Sequence, residues 1–333
     1  MSNGPFSFSK REKITNISNF LSGSQNFSTH IGKAILGEYG WIFLTNDTND
    51  FFEYQFGKLK WNAADKNRSE SIILDRISAI SSQGVPYIKF IVPEKSVIYS
   101  EYLPSAIQGD AENQMRPAKI MSELFRNNVY YMENFLKDAK SYGFIYFRGD
   151  SHTSWLGSYF VYRYIAELLF SRNLILTPPI DIKYLEPSLA GYDGDLYSQL
   201  GDVQKKLLEN TWGFLLPENT FETTIKYTLK IHSNSSTQIQ NNFNEQFPSI
   251  ERDVIVYENI DTSLPKAVIF RDSTLEFCHE LIAQHFSRCV FIWHNGAVID
   301  NFINIEKPDV VIHVMAERFV SAYPKFEPIS SIG

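Results

Sequence analysis

The last third of the chain sets the tightest limit on its fold. Three apolar runs of strand length, "KAVIF" (266–270), "CVFIW" (289–293) and "DVVIHVM" (309–315), are separated by "TLEFCHELIAQHFS" and "IDNFINIEK", which read as helices. Strands that alternate with helices predict crossover connections and a parallel sheet. Strands that are apolar throughout, rather than at alternate positions, predict a sheet covered by helices on both faces. The expected fold class is therefore a doubly wound α/β sheet.

The first half repeats this pattern less regularly. "RSESIILDRISAISSQG" carries Ile73, Ile77 and Ile80 at i, i+4 and i+7 and ends at Gly84, as a helix would, and "VPYIKFIVPEK" follows as a strand. A further helix is expected around 117–141 and a strand at "GFIYFRGD" (143–150). Residues 1–30 read as a polar lead-in and 31–333 as one domain. The stretch of about 175–260 differs: "TFETTIKYTLKIHS" reads as an antiparallel strand and "NSSTQIQNNFNEQFP" as a polar loop. It is expected to form an inserted subdomain at the rim of the sheet, where it could shape an acceptor groove.

Composition narrows the function classes. A content of 44% hydrophobic and 15% aromatic residues over 333 positions is enough for a large core. A net charge of −7 without any Lys/Arg run argues against a nucleic-acid partner. Cys278 and Cys289 are expected as buried small hydrophobes rather than a disulfide. No apolar run approaches the roughly 20 residues of a membrane span, and the N-terminus lacks the apolar segment of a secretory signal. A cytoplasmic location is expected, or a periplasmic one if a leader has been removed. The seven His are scattered without His-x-x-x-His spacing, so no metal site is expected.

Ligands of doubly wound sheets bind at the carboxyl ends of the strands. Two polar clusters fall there, Asp272-Ser273 after "KAVIF" and Asp150-Ser151-His152 after "GFIYFRG". Together they supply a hydroxyl nucleophile, an imidazole base and a carboxylate to orient it. Ser or Asp between strand and helix is also a preferred N-cap, and a lone Asp-x-His is often only a turn. From these residues alone both readings stand.

Six segments, "GWIFLTNDTNDFFEYQFG", "IVPEKSVIYSEYLP", "YFRGDSHTSWLGSYFVYRYI", "GYDGDLYSQLGD", "VIFRDSTLEF" and "INIEKPDVVIHVMAERFV", resemble in order the blocks of the alginate O-acetyltransferase group of SGNH-hydrolase-like proteins. The resemblance implies a three-layer, flavodoxin-like parallel sheet and serine-dependent O-acetyl transfer to a carbohydrate or polysaccharide through an acyl-enzyme. By motif, Ser273 resembles the nucleophile, His152 the base and Asp150 the orienting carboxylate. The partners implied are a carbohydrate acceptor, an acetyl donor and other glycan-assembly proteins, with no cofactor. An esterase of the same fold and a non-catalytic carbohydrate-binding or assembly protein are the alternatives. Arg271 stands where the group has Gly, and either narrows the site or adds charge to it. Trp155 lies three residues past His152, whereas the group places Trp directly after His. Arg148 is expected to anchor the Asp150 turn or to form a salt bridge, and Lys95 and Tyr99 to line the pocket beside Asp272. The Ser273 backbone N–H, at a helix start, is the expected oxyanion donor, with Asn295 as the second. Glu317 and Arg318 are expected to pair with each other or cap a loop, and His279 and His285 to be surface or packing residues.

Overall fold

A computed structural model describes residues 33–45, 49–104, 115–202, 204–206, 221–230, 234–250, 252–294 and 296–332. The lead-in and Asn295 lie outside the described residues. In chain order the elements begin with strands β1 (Ala34–Leu36) and β2 (Ile42–Leu44) and helices α1 (Phe51–Gln55) and α2 (Ala63–Ser81). Next come β3 (Tyr87–Val92), α3 (Lys95–Ile98), α4 (Pro117–Leu124), β4 (Val129–Tyr131), α5 (Glu133–Ala139) and α6 (Trp155–Ser171). Then follow β5 (Leu185–Asp193), β6 (Phe221–Leu229), β7 (Ser236–Ile239), α7 (Phe243–Gln246) and β8 (Ile255–Asn259). The chain closes with β9 (Lys266–Arg271), α8 (His279–Ala283), β10 (Arg288–Trp293), α9 (Asp300–Glu306) and β11 (Val310–Ala316).

The three apolar runs are β9, β10 and β11, and they lie in a seven-stranded sheet of order β4-β3-β11-β9-β10-β8-β7. The five strands from β4 to β10 run parallel, and β8 and β7 add antiparallel at one edge. Successive residues of each strand enter opposite layers. Ile88, Phe90, Ile269, Phe291, Ile312 and Val314 pack with Leu136, Val161 and Ile282 of α5, α6 and α8. Val268, Phe270, Val290, Ile292 and Val311 pack with Ile80 of α2 and Phe302 of α9 on the other face, and Ile91 and Met315 with Ile72 and Met121 beside them. Helices on both faces make the strands apolar throughout. Asn62 opens α2 with a capping box to Asp65. Both cysteines are buried free thiols, and among the described residues no helix is long and apolar enough to cross a membrane.

Four expectations need correction. The helix expected over 117–141 is two helices with β4 between them, because β-branched and aromatic Val129-Tyr130-Tyr131 pair with β3 and Asn128 Nδ2 ties the turn to the Tyr87 carbonyl at 3.0 Å. "GFIYFRGD" is not a strand. The edge beside β3 is already filled by β4, so the segment makes only a single bridge, Tyr146 to Thr153, and turns back on itself. "TLEFCHELIAQHFS" is a 3₁₀ turn over Ser273–Leu275 and the short α8, not one helix. In the stretch 175–260, β5 and β6 form a separate antiparallel pair, but "STQI" is strand β7 of the main sheet. An edge strand is paired on one side only, so Thr237 and Gln238 stay exposed and the sequence looks like a loop.

Glu317 and Arg318, just past β11, do not pair with each other. Arg116 Nε donates to Glu317 at 2.9 Å and its Nη2 to Glu133 at 2.7 Å, with all three side chains at least nine-tenths buried, while Arg318 Nε reaches Glu94 at 2.8 Å. Removing one member of a buried ion pair strands the other charge. Arg116→Met should therefore lower unfolding stability by about 3–5 kcal/mol, read as a fall in the urea midpoint at unchanged slope.

Candidate active site

The carboxyl ends of β3, β11 and β9 lie side by side and release Glu94-Lys95, Glu317-Arg318 and Asp272-Ser273 along one rim. The Asp150 loop, which no strand delivers to that rim, is held there by Lys95. This side chain is 3% exposed and its Nζ donates to the carbonyls of Phe147, Arg148 and Asp150 at 3.0, 2.9 and 2.6 Å. Burial pushes the Lys95 ammonium down to about 7, against the pull of Asp150, Asp195, Glu222 and Glu94. Tyr99, 2% exposed, accepts from the Ile145 N–H at 3.0 Å, so both residues expected in the pocket lining are instead the loop's supports. Arg148 is anchored chiefly through its backbone. Its N–H donates to Glu222 at 2.7 Å and its carbonyl accepts from Lys95 and Ile42, while its guanidinium is 3.9 Å from Glu222.

Within the loop, Asp150 and His152 meet. The His152 Nδ1 and Asp150 Oδ1 are 2.6 Å apart, and the His152 backbone N–H donates to the same oxygen at 2.7 Å. Burial works against charge on both. It is outweighed in Asp150 by the bonds from His152, which draw the carboxyl down to about 2, and in His152 by the Asp150 carboxylate, which raises the imidazole above its usual 6.5. This is the geometry of a base whose tautomer and imidazolium a carboxylate stabilises.

Asp195 completes the cluster, and sequence reasoning missed it. Its N–H donates to Asp150 Oδ2 at 2.8 Å, and its carboxylate accepts from the N–H and hydroxyl of Ser151, both at 2.9 Å. Burial and the Asp150 charge raise its carboxyl. Gly194 makes the approach possible: a Cβ there would lie 2.3 Å from the Gly149 carbonyl oxygen. The sequence carries it inside "GYDGDLYSQLGD", one of the six resembling segments, as Asp193-Gly194-Asp195, more than forty residues from the loop it grips. Donor atoms of Asp150, His152 and Asp195 lie within 4.8 Å of one another, close enough to share a small cation. Every carboxylate oxygen in the trio already accepts a hydrogen bond, three from Ser151 and His152 and Asp150 Oδ2 from the Asp195 N–H, as suits groups that orient a base.

At the end of β9, Asp272 does the capping. It is 1% exposed, its Oδ1 accepts from the N–H and hydroxyl of Thr274, and its Oδ2 accepts from the Ala316 N–H at 2.6 Å. Ser273 is thereby left free of the cap role and half-buried at the rim. Among the described residues no hydrogen bond joins its hydroxyl to His152, so the structure makes the carboxylate–imidazole link and not the imidazole–hydroxyl one. Arg271 is 3% exposed and lies over Trp293, with Nη1 on Glu276 at 2.7 Å. Its charge is thus spent on a neighbour rather than directed into the site. Trp155, 8% exposed, opens α6 and sits in an aromatic cluster with Phe147, Tyr192 and Phe277 that bridges the His152 and Ser273 segments. His279 and His285 are buried, which lowers both.

The family model of the SGNH hydrolase-like domain, acetyltransferase AlgX, matches residues 34–226, a span that contains Asp150, His152 and Asp195 and ends before Ser273. No curated protein matches the chain. Among solved structures, Bacillus cereus PatB1 is similar over 86% of this chain and 96% of its own, at a TM-score of 0.61 and 16% identity, and a second structure of PatB1 carries a sulfonyl adduct. A DHHW family protein from Eubacterium siraeum is similar over 89% of this chain and 99% of its own, at 0.59 and 17%. The O-acetyltransferase domain of Pseudomonas putida AlgJ is similar over 88% and 93%, at 0.54 and 19%. At these identities the likeness is one of fold.

Proposed function

Because the chain belongs to the family of SGNH hydrolase-like acetyltransferase domains of the AlgX type, we propose that it is a serine O-acetyltransferase that carries an acetyl group to a polysaccharide hydroxyl through an acyl-enzyme on Ser273. The observation that carries this reading is the 2.6 Å Asp150–His152 bond, held by Lys95 at the rim where β9 delivers Ser273. With Nδ1 committed to Asp150, Nε2 is the nitrogen available to take the Ser273 proton. Oγ then attacks the acetyl carbonyl, and the tetrahedral intermediate collapses as the donor oxygen leaves with the proton from His152. In the second half His152 deprotonates the acceptor hydroxyl, which attacks the acyl-enzyme, and the intermediate collapses as Ser273 Oγ leaves with the proton returned from His152. The Ser273 N–H faces the developing oxyanion. Only a three-residue 3₁₀ turn stands behind that N–H, so the hydrogen bond rather than a helix dipole is its contribution. The chemistry needs an acetyl donor and no further cofactor. Catalytic contacts are often loose without ligand and tighten in the complex, so the Ser273–His152 bond is expected to form when substrate binds.

A sulfonyl fluoride tests the nucleophile directly, since PatB1 is known with a sulfonyl adduct. The reagent should modify the chain once, on the peptide that holds Ser273, and His152→Ala should slow the labelling by two powers of ten or so. Label on any other residue, or equal labelling of the His152 variant, would refute the assignment.

A further inference from the structure

Beside the Ser273 turn, β6 and α8 enclose a cleft of about 220 Å³. Trp155, Phe277 and Tyr257 are among its lining aromatics, and the exposed Lys226, Glu276 and Glu280 are its charged lining residues. Trp155 is three residues past His152, and Glu276 and Phe277 are three and four past Ser273. Tyr192 joins the cleft to the segment leading into the Asp150 loop: its ring lies 6.0 Å from Trp155, 5.4 Å from Phe277 and 4.4 Å from Phe147. Burial raises its phenol to about 12, and the charges of Asp150, Asp195 and Glu276 add to that.

We infer that this cleft is the subsite for an uncharged sugar unit of the acceptor glycan, adjoining the unit that is acetylated. The inference rests on the transferase reading above. Aromatic faces with polar groups at the margin suit a sugar ring, whose C–H face packs on the aromatics while its hydroxyls reach the rim. Charge decides which sugar. Glu276 is already paired with Arg271 at 2.7 Å, and the exposed Lys226 and Glu280 balance each other, so the margin offers no net positive charge. Lys226 Nζ lies 5.9 Å from the Trp155 ring centre, partly occupied by the aromatic face. A uronate carboxylate would find no net positive charge there to offset its desolvation, whereas a neutral hexose or N-acetylhexosamine finds donors and acceptors of both kinds.

Binding, measured apart from turnover, tests this. Calorimetry on the full chain should detect chitotetraose or cellotetraose and little or no tetragalacturonate. Lys226→Ala and Glu280→Ala should each weaken the neutral ligand about tenfold, the effect of losing one hydrogen bond to a charged group. Both variants should still hydrolyse a small acetyl ester at the wild-type rate, since neither residue touches the acyl centre. Neutral ligands bound equally by wild type and both variants, or a preference for tetragalacturonate, would overturn the subsite. If the variants lose binding while wild type neither hydrolyses nor transfers acetyl groups, the subsite stands and the transferase reading falls.

Discussion

Ser273→Ala is expected to remove at least three powers of ten of acetyl-ester hydrolysis while leaving the far-ultraviolet dichroism and the unfolding midpoint within error of wild type. The expectation of a large catalytic loss without a stability loss follows from the division of labour at the end of β9. Asp272 carries the structural duty, accepting from Thr274 and from Ala316 on the neighbouring strand, and the Ser273 hydroxyl holds no cap bond. Asp272→Ala should behave differently, with stability falling by about 1–2 kcal/mol for the cap and more if Ala316 finds no other acceptor. His152→Ala should match Ser273→Ala, and the double variant should be scarcely slower than either, because nucleophile and base act as a unit. Additive losses, or a Ser273→Ala enzyme that retains a tenth of its rate, would remove Ser273 from the chemistry. Adding a glycan acceptor to wild type should raise turnover and yield acetylated sugar. An esterase would show no such gain, because water already resolves its acyl-enzyme.

The parts of this molecule that were readable in sequence share one physical cause. β3, β9, β10 and β11 are covered on both faces, so all of β3 and β11 and the interiors of β9 and β10 are buried and the signal is nearly continuous. β4 and β7 lie at the edges, with three and four residues and mixed exposure, and they left no such trace. The Asp150 and His152 pairing was visible as local chemistry, Asp-x-His being short enough to close on itself. What holds that pair was not. Lys95 reads as a pocket-lining residue, and only the fold shows that three carbonyls from a loop over fifty residues later converge on it. Asp195 likewise reads as turn sequence, and only the fold brings its N–H to the Asp150 carboxylate and the next N–H, of Leu196, to the Gly149 carbonyl. Long-range polar contacts carry no periodicity, so neither could have been found from spacing alone.

The same clamp yields a prediction with two independent readings. Gly194→Ala places a methyl group where the Gly149 carbonyl oxygen now stands, 2.3 Å from the new Cβ, and the neighbouring atoms are backbone that cannot rotate away. The loop must shift, His152 must move with it, and a displacement of about 1 Å in a reacting group is expected to cost roughly a hundredfold in kcat/KM. Charge gives the second reading. The base must be neutral to act, so kcat/KM should rise with pH through the His152 pKa, which lies above 6.5. Burial opposes the imidazolium, Asp150 and Asp195 favour it and Arg318 disfavours it. Asp195→Asn should therefore move the acid limb to lower pH, and Arg318→Gln should move it to higher pH. Both shifts should fall well below the change made by Asp150→Asn, which removes the carboxylate bonded to the ring itself. Since loss of packing alone would lower the rate without moving the limb in opposite directions, a pH–rate profile of the three variants separates an electrostatic clamp from a merely structural one. Coincident acid limbs in Asp195→Asn and Arg318→Gln would show that His152 does not titrate in the rate-limiting step.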